Sequence, residues 1–560
     1  MSPGNDGWWR LRVPEEKKET DYAFYLDGKG PFPDPRSPWQ PRGIHGASRT
    51  IDHSSFFWSD QGWHPTPLYN AVFYELHVGT FSPEGTFDGV ITHLDHLVDL
   101  GITHIELMPV NGFSGNRGWG YDGVNLYAPH EAYGGPKEFK RLVNACHTRG
   151  LAVVLDVVYN HFGPEGNYLL RFGPYCTDRY RQPWGAAVNF DGPGSDEVRN
   201  FICDNARMWF RDYHIDGLRL DAVHTILDTS PVHILEELSV MTAQLQAELG
   251  RRFVLIAESA LNDPRVVKPL ETGGFGLDAQ WSDDLHHALH ALLTGERDGY
   301  YIDFGTITHI AKALRNGFVY DGIYSRYRQR SQGRPVENLP GWKFVVYLQN
   351  HDQVGNRGRG DRLGHSMNTG LLKTGADLVL LSPFIPLIFQ GEEWGASTPF
   401  LYFTDHGDPV VCKEVSEGRK RDFASFRWPK GDFPDPQSPA TFQHSKLDWE
   451  ECEDKAHLSM LEWYRRLIAL RKSFAFFRDG RRDKVRAAFD EEMRWLRVER
   501  GPATVVCNLS EQGRWVPLTP GRMRNVMLAS TEIPMISEDA ILLPPESLAV
   551  LGPCGVKGVA

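Results

Sequence analysis

Eight short apolar runs, rich in β-branched and aromatic residues and separated by helical or loop-like stretches, constrain this chain more than any other feature. They fall at 71–78 (AVFYELHV), 103–109 (THIELMP), 152–160 (AVVLDVVYN), 217–223 (GLRLDAV), 253–259 (FVLIAES), 276–281 (GLDAQW), 344–352 (FVVYLQNHD) and 386–391 (PLIFQG). Runs so apolar read as strands buried on both faces, and their alternation with helices is that of a parallel sheet covered by helices. Helical patterns lie between them at 89–100, closed by Gly101, at 136–149, with a proline at the start and Gly150 at the stop, and at 196–213. The stretch 456–473 repeats apolar residues at helical spacing and supplies a last helix. Eight βα units in one domain predict an α/β fold, a closed (β/α)₈ TIM barrel.

The flanks differ in character. Residues 1–66 mix Trp, Pro and Gly around a strand near Tyr22–Leu26, and the run Pro31–Pro41 breaks any regular element, which predicts a short N-terminal β module. Beyond about 482, short strands with Gly and Pro turns continue to 551, the pattern of a C-terminal β-sandwich. The expected division is therefore 1–66, 67–480 and 481–560.

Charge and cysteine usage narrow the partners. A formal charge of −12 with no basic cluster disfavours nucleic acid and anionic membrane. The N-terminus has no apolar run of signal-peptide length, and the longest apolar stretch, 378–390, is interrupted by Ser382, Pro383 and Pro386, so no bilayer segment is expected. Seven scattered cysteines, an odd number without a C-x-x-C pair, predict reduced thiols and a cytoplasmic protein with neither a zinc site nor a redox dithiol. No cofactor and no catalytic metal are expected. Sixteen tryptophans suit stacking on sugar rings, although most aromatic side chains are expected in the core.

In a parallel barrel the active site forms at the carboxyl ends of the strands, so polar residues that close an apolar run carry the most weight. Period-two alternation puts Arg219 and Asp221 on one face of 217–223, toward the mouth. An arginine there favours an ionised carboxylate, as a nucleophile for an anomeric carbon requires; a structural ion pair is the plain alternative. Glu258 closes a strand apolar enough to desolvate its carboxyl and raise its pKa, which suits a general acid. Asp352, after Asn350 and His351, adds a third carboxylate able to grip sugar hydroxyls. His161 reads equally well as a hydrogen-bond partner of sugar or as a satisfied core histidine, Asp156 as a structural prop, and Tyr121 in GWGYDGV as a stacking platform beside Trp119.

The strings DVVYNH (156–161), GLRLDAVH (217–224), AES (257–259) and QNHDQ (349–353) resemble, in order and spacing, the characteristic regions of the α-amylase superfamily, glycoside hydrolase family 13. The resemblance implies a (β/α)₈ barrel in which Asp221 matches the nucleophile, Glu258 the general acid/base and Asp352 the transition-state stabiliser, with Arg219, His161 and His351 at the substrate site.

Further strings, among them ELHVGTFSPEGTFDGV (75–90), NHFGPEGNYL (160–169), PWGAAVNFDG (183–192) and FGLDAQWSDDLHHALH (275–290), resemble one branch of that family from about Trp8 to the C-terminus. That branch is a retaining hydrolase of the α-1,4 bond next to the terminal trehalose of maltooligosyltrehalose, and it acts downstream of a synthase that makes this substrate. The resemblance implies maltooligosyltrehalose and related α-1,4-glucans as ligands. It also assigns Trp184, Asn189, Trp281 and Asp284 to the acceptor side. Two departures stand out: Val223-His224 replaces the Lys-His common in α-amylases, so His224 is expected to meet the leaving sugar differently, and the N-terminal module is shorter than the family's usual sandwich. The rivals are a branching or debranching enzyme of the same superfamily, which would share the three carboxylates, and a non-catalytic glucan-binding scaffold, which would usually lack one.

Overall fold

The computed structural model describes residues 1–4, 8–12, 19–182, 184–423, 426, 433–520, 524–532 and 534–553. Its centre is a closed barrel of eight parallel strands in sequential order: β1 (Phe73–Leu76), β2 (His104–Leu107), β3 (Ala152–Val157), β4 (Gly217–Leu220), β5 (Val254–Ala257), β6 (Ala279–Trp281), β7 (Phe344–Tyr347) and β8 (Ile385–Phe389). All eight lie at the runs that the sequence singles out. Every strand residue is buried, which follows from having the barrel interior on one side and helices on the other.

Strand register sorts the side chains into layers. Phe73 faces His104, Val154 faces Gly217, Ile256 faces Ala279 and Val345 faces Ile385 across neighbouring strands. Most of these residues, with Trp281, Tyr347 and Leu387, form an apolar cluster within the barrel. A side chain at Gly217 would place its Cβ 2.5 Å from Val254, so glycine is what lets β4 and β5 pack there. One period further along, Glu75 pairs with Glu106 and Asp156 with Arg219, and the interior turns polar toward the carboxyl ends of the strands.

Outside run the helices, including Gly135–Thr148, Ser195–Asp212, Asp283–Thr294 and Lys455–Ser473. The helix expected at 89–100 is two pieces, Phe87–Ile91 and Leu94–Leu100, broken at His93. Gly101 ends the second in the left-handed conformation, φ 97°, a cap glycine adopts without strain.

Among the described residues the N-terminal segment forms two-stranded ribbons and one short 3-10 turn, His53–Ser55. Asp21–Tyr22 pairs with Ser48–Arg49 and Phe24–Leu26 with Lys29–Phe32, so the strand expected around Tyr22–Leu26 is divided between two ribbons. Part of the opening stretch around Trp8, GWWRLRVPE (7–15), lies outside the described residues. The segment is tied to the barrel by buried polar contacts: His147 bonds Asp60 at 2.8 Å and Asp216 at 2.9 Å, and Trp63 Nε1 donates to Asp216 at 2.8 Å. At the other end, a five-stranded antiparallel sheet beginning at Val485 packs on a three-stranded one through Val506, Val516, Ile541, Leu543 and Leu551, which makes the sandwich. Six cysteines are unpaired and Cys554 lies outside the described residues. No helix among the described residues is long and apolar enough to cross a membrane.

Candidate active site

Arg219 organises the barrel mouth. Fully buried on β4, its guanidinium donates from Nη1 to Asp156 at 2.7 Å and to Asp221 at 2.8 Å, and its Nη2 lies 3.4 Å from Oε2 of Glu258. The underside rests on the Trp281 ring, 4.4 Å from the centroid, a cation–π contact in a dry setting. The second oxygen of Asp221 accepts from Asn160 Nδ2 at 2.9 Å, so both oxygens of this carboxyl are held.

Glu258 follows β5 and accepts the Ala222 backbone N–H on Oε2 at 2.6 Å. Ala222 itself stands in the left-handed region, φ 40°, ψ 47°, a strained conformation for alanine immediately after Asp221. Burial pushes Glu258 up to about 8; the Arg219 cation opposes the rise, and Asp221, Asp352 and Asp283 add to it. Asp156, also buried, is raised to about 6 against the pull of Arg219.

Asp352 lies in the first turn of the short helix His351–Gly355, whose preceding Asn350 caps it by accepting from Gln353 N–H at 2.9 Å. The neighbouring His351 is buried, bonded from Nδ1 to Glu75 at 2.5 Å, and its Nε2 lies 2.8 Å from the Tyr121 hydroxyl and 3.5 Å from Asp352. Although burial opposes protonation, the carboxylates of Glu75 and Asp352 raise it to about 9. The charged ring donates to Tyr121, and the Tyr121 hydroxyl donates to Asp156 at 2.7 Å, a chain that returns to Arg219.

The structure thus brings Asp221, Glu258, Asp352, Arg219, His351 and Tyr121 together. His161 joins them: its Nε2 bonds the Tyr121 carbonyl at 3.1 Å, and its ring stacks on the half-exposed Trp184 with centroids 5.4 Å apart. His224, half-buried in the turn after Ala222, receives the Ala260 N–H. Three residues have other work. Trp281 is the floor beneath Arg219 rather than a sugar contact. Asn189 bonds the Pro174 and Pro193 carbonyls and the Gly192 N–H, bracing its own loop. Asp284 is buried, accepting from Asn262, Val319 and Tyr320. Its neighbour Asp283 is the residue at the mouth: it accepts from the Tyr347 hydroxyl, and its charge interacts with Arg328, His224 and Glu258. Sequence reasoning gives Asp283 and Asn160, both at strand ends, no role at the site, and does not reach Glu75. Alternation alone would have found Glu75, two residues beyond the inward-facing Phe73.

A parallel barrel with acids bridged by one arginine at the carboxyl ends of its strands defines a class, the α-amylase-type glycoside hydrolases. Residues 51–182 match the profile of the alpha amylase catalytic domain. The chain is 51% identical over 504 residues to the malto-oligosyltrehalose trehalohydrolase of Arthrobacter ramosus, covering 89% of this chain and 88% of the relative. It is 48% identical over 554 residues to that of Rhizobium sp. (strain M-11), covering 98% and 92%. A crystal structure of a candidate alpha amylase from Salmonella typhimurium superposes with a TM-score of 0.86 at 38% identity, covering 95% of this chain and 90% of that one. Similarity of this extent and coverage makes the chain a member of the malto-oligosyltrehalose trehalohydrolase family.

Proposed function

We propose that this enzyme hydrolyses the α-1,4 bond next to the terminal trehalose unit of maltooligosyltrehalose and releases trehalose, by double displacement at Asp221 with Glu258 as acid and base. The observation that carries the chemistry is the single Arg219 guanidinium set between Asp221 and Glu258, two acids whose surroundings suit opposite roles.

At neutral pH Glu258, raised to about 8, carries its proton. Its Oε2 is occupied by the Ala222 N–H, so the proton sits on Oε1, free to reach the glycosidic oxygen. That oxygen takes the proton as an Asp221 oxygen attacks the anomeric carbon; the C–O bond breaks and trehalose leaves as a neutral sugar. Bonding to sugar removes the Asp221 charge, which was holding the Glu258 pKa up, so Glu258 remains a carboxylate and serves as base. It accepts a proton from water, whose oxygen attacks the same carbon, and the released glucan end keeps the α-configuration. Asp352 grips the hydroxyls of the ring as it flattens, while the cationic His351, its two N–H groups held by Glu75 and Tyr121, stands beside it as a fixed charge.

The terminal trehalose has no free anomeric carbon, which implies an earlier step that converts the reducing end of a maltooligosaccharide into a trehalose unit, the work of a synthase. Incubation with maltooligosyltrehalose and, separately, with amylopectin tests the reading. Free trehalose from the first alone is expected, whereas altered branching of the second without trehalose would overturn it.

A further inference from the structure

The helix Pro409–Phe423, in the long segment after β8, has no role in the chemistry above, yet it reaches Asp352 through two side chains. Arg419 donates from Nη1 to Oδ1 of Asn356 at 2.9 Å and from Nη2 to the Gly355 carbonyl at 3.0 Å. Asn356 in turn donates from Nδ2 to Oδ1 of Asp352 at 2.9 Å, and its backbone N–H donates to the Asp352 carbonyl at 3.0 Å. The guanidinium lies over the Tyr402 ring, 4.5 Å from its centroid, and that ring packs edge-on against Trp119 at 5.1 Å.

These contacts have a direction. Arginine has donors only, so the amide of Asn356 must turn its oxygen to Arg419 and its NH₂ to Asp352. Without that cation the amide is free to flip and would set an oxygen lone pair against the carboxylate. The second arm of the fork fixes the carbonyl end of the same short helix whose first turn bears Asp352. With 41% of its side chain exposed, Asp352 is weakly restrained by packing, which leaves its rotamer to hydrogen bonds.

We propose that Arg419 is a positioning residue for the reaction: from the helix after β8 it fixes the Asn356 amide, which holds the Asp352 carboxylate in place for the flattening sugar. The proposal rests on the reading of Asp352 as transition-state stabiliser. It makes the docking of one peripheral helix a condition for a productive third carboxylate.

The test is kinetics on maltooligosyltrehalose for Asp352→Asn, Asn356→Ala, Arg419→Met, Arg419→Lys and the Asn356→Ala/Arg419→Met pair, with the melting temperature of each. Lys413→Ala, on an exposed position of the same helix, controls for general disturbance. Asn356→Ala is expected to lower kcat about tenfold and Arg419→Met about fivefold, each with KM changed less than about threefold, because what is lost acts in the transition state. Arg419→Lys should recover part of the loss, and the double variant should lose well under the product of the two single losses, since both changes break the shared link through Asn356. Should Arg419→Met not fold, the Lys and Asn356 variants carry the same comparison. Parent-like kcat in Arg419→Met, additive losses in the pair, or an equal loss in Lys413→Ala would overturn the proposal while an inactive Asp352→Asn leaves the site assignment standing. An active Asp352→Asn would overturn the assignment itself, and the proposal with it.

Discussion

The backbone N–H of Ala222 donates to Oε2 of Glu258 at 2.6 Å, and the backbone N–H of Val223, after the left-handed turn at Ala222, donates to the Glu258 carbonyl at 3.0 Å. The residue after the nucleophile is thereby a fixed ligand of the acid. Two groups that must act on the same bond are joined through one peptide.

Strain at that peptide is measurable. Ala222→Gly should retain or gain up to about 1 kcal/mol of stability, since glycine adopts φ 40° freely, whereas Ala222→Val should lose about 1–2 kcal/mol and depress kcat by misdirecting the N–H. Denaturant unfolding with parallel kinetics checks both; a valine variant as stable as the parent would show the turn to be unstrained.

Glu258→Gln should cost about three or more orders of magnitude in kcat while binding of maltooligosyltrehalose stays within a few-fold, because the amide oxygen still accepts the Ala222 N–H but no proton can be transferred. Calorimetric binding alongside kinetics decides it. Lost binding would count against the acid role.

The alkaline limb of kcat/KM should fall with an apparent pKa near 8, as Glu258 loses the proton it must donate. Asp283 helps to hold that value up, so Asp283→Asn should move the limb to lower pH by roughly half to one unit. An unmoved limb would mean that Asp283 does not act on Glu258.

Stability should depend on pH through the buried triad Asp60–His147–Asp216, which ties the N-terminal segment to the barrel. Burial opposes charge at all three, yet the hydrogen-bonded carboxylates raise His147 above its ordinary value, while His147, joined by His214 at Asp60, lowers Asp60 and Asp216 below theirs. A raised histidine contributes fully below its unfolded pKa and loses that contribution as pH climbs through the folded one. Lowered aspartates contribute above their unfolded pKa and lose it as pH falls through the folded one. The triad therefore stabilises most between about pH 4 and 6.5. Asp60→Asn should cost about 2–4 kcal/mol there and less at alkaline pH; an equal cost at pH 5 and pH 9 would exclude a charged His147.

Proton NMR of the first turnovers should show the new reducing end as the α-anomer, since two displacements restore configuration. A β-anomer would require Asp221 to be a base rather than a nucleophile.

The strands and their order were legible because a parallel barrel needs apolar residues on both faces, and few other soluble folds write eight such runs in series. Strand-end acids were legible for the same reason: Asp221 and Glu258 interrupt sequences with no local use for a charge. Asp283 and Asp284 show the limit. Adjacent in sequence, they open a helix, and only the turn from Trp281 into that helix decides which faces the mouth and which bonds Val319 and Tyr320. Asn189 was likewise drawn toward the substrate by its string, whereas its amide is consumed by loop carbonyls that no spacing rule predicts. The break at His93 and the divided N-terminal strand reflect tertiary packing overriding a weak local preference.

One buried guanidinium faces three acids at the mouth, and His351 is already committed to Glu75. Among the described residues, the carboxylates that remain ionised there, Asp156, Asp221 and Asp352, outnumber the one guanidinium placed between them before sugar enters. The missing positive charge is the one that a glycosyl carbon acquires as its bond to the departing oxygen stretches. An empty pocket is thus electrically incomplete, and the reaction supplies its counter-ion only for the instant at which the barrier is crossed.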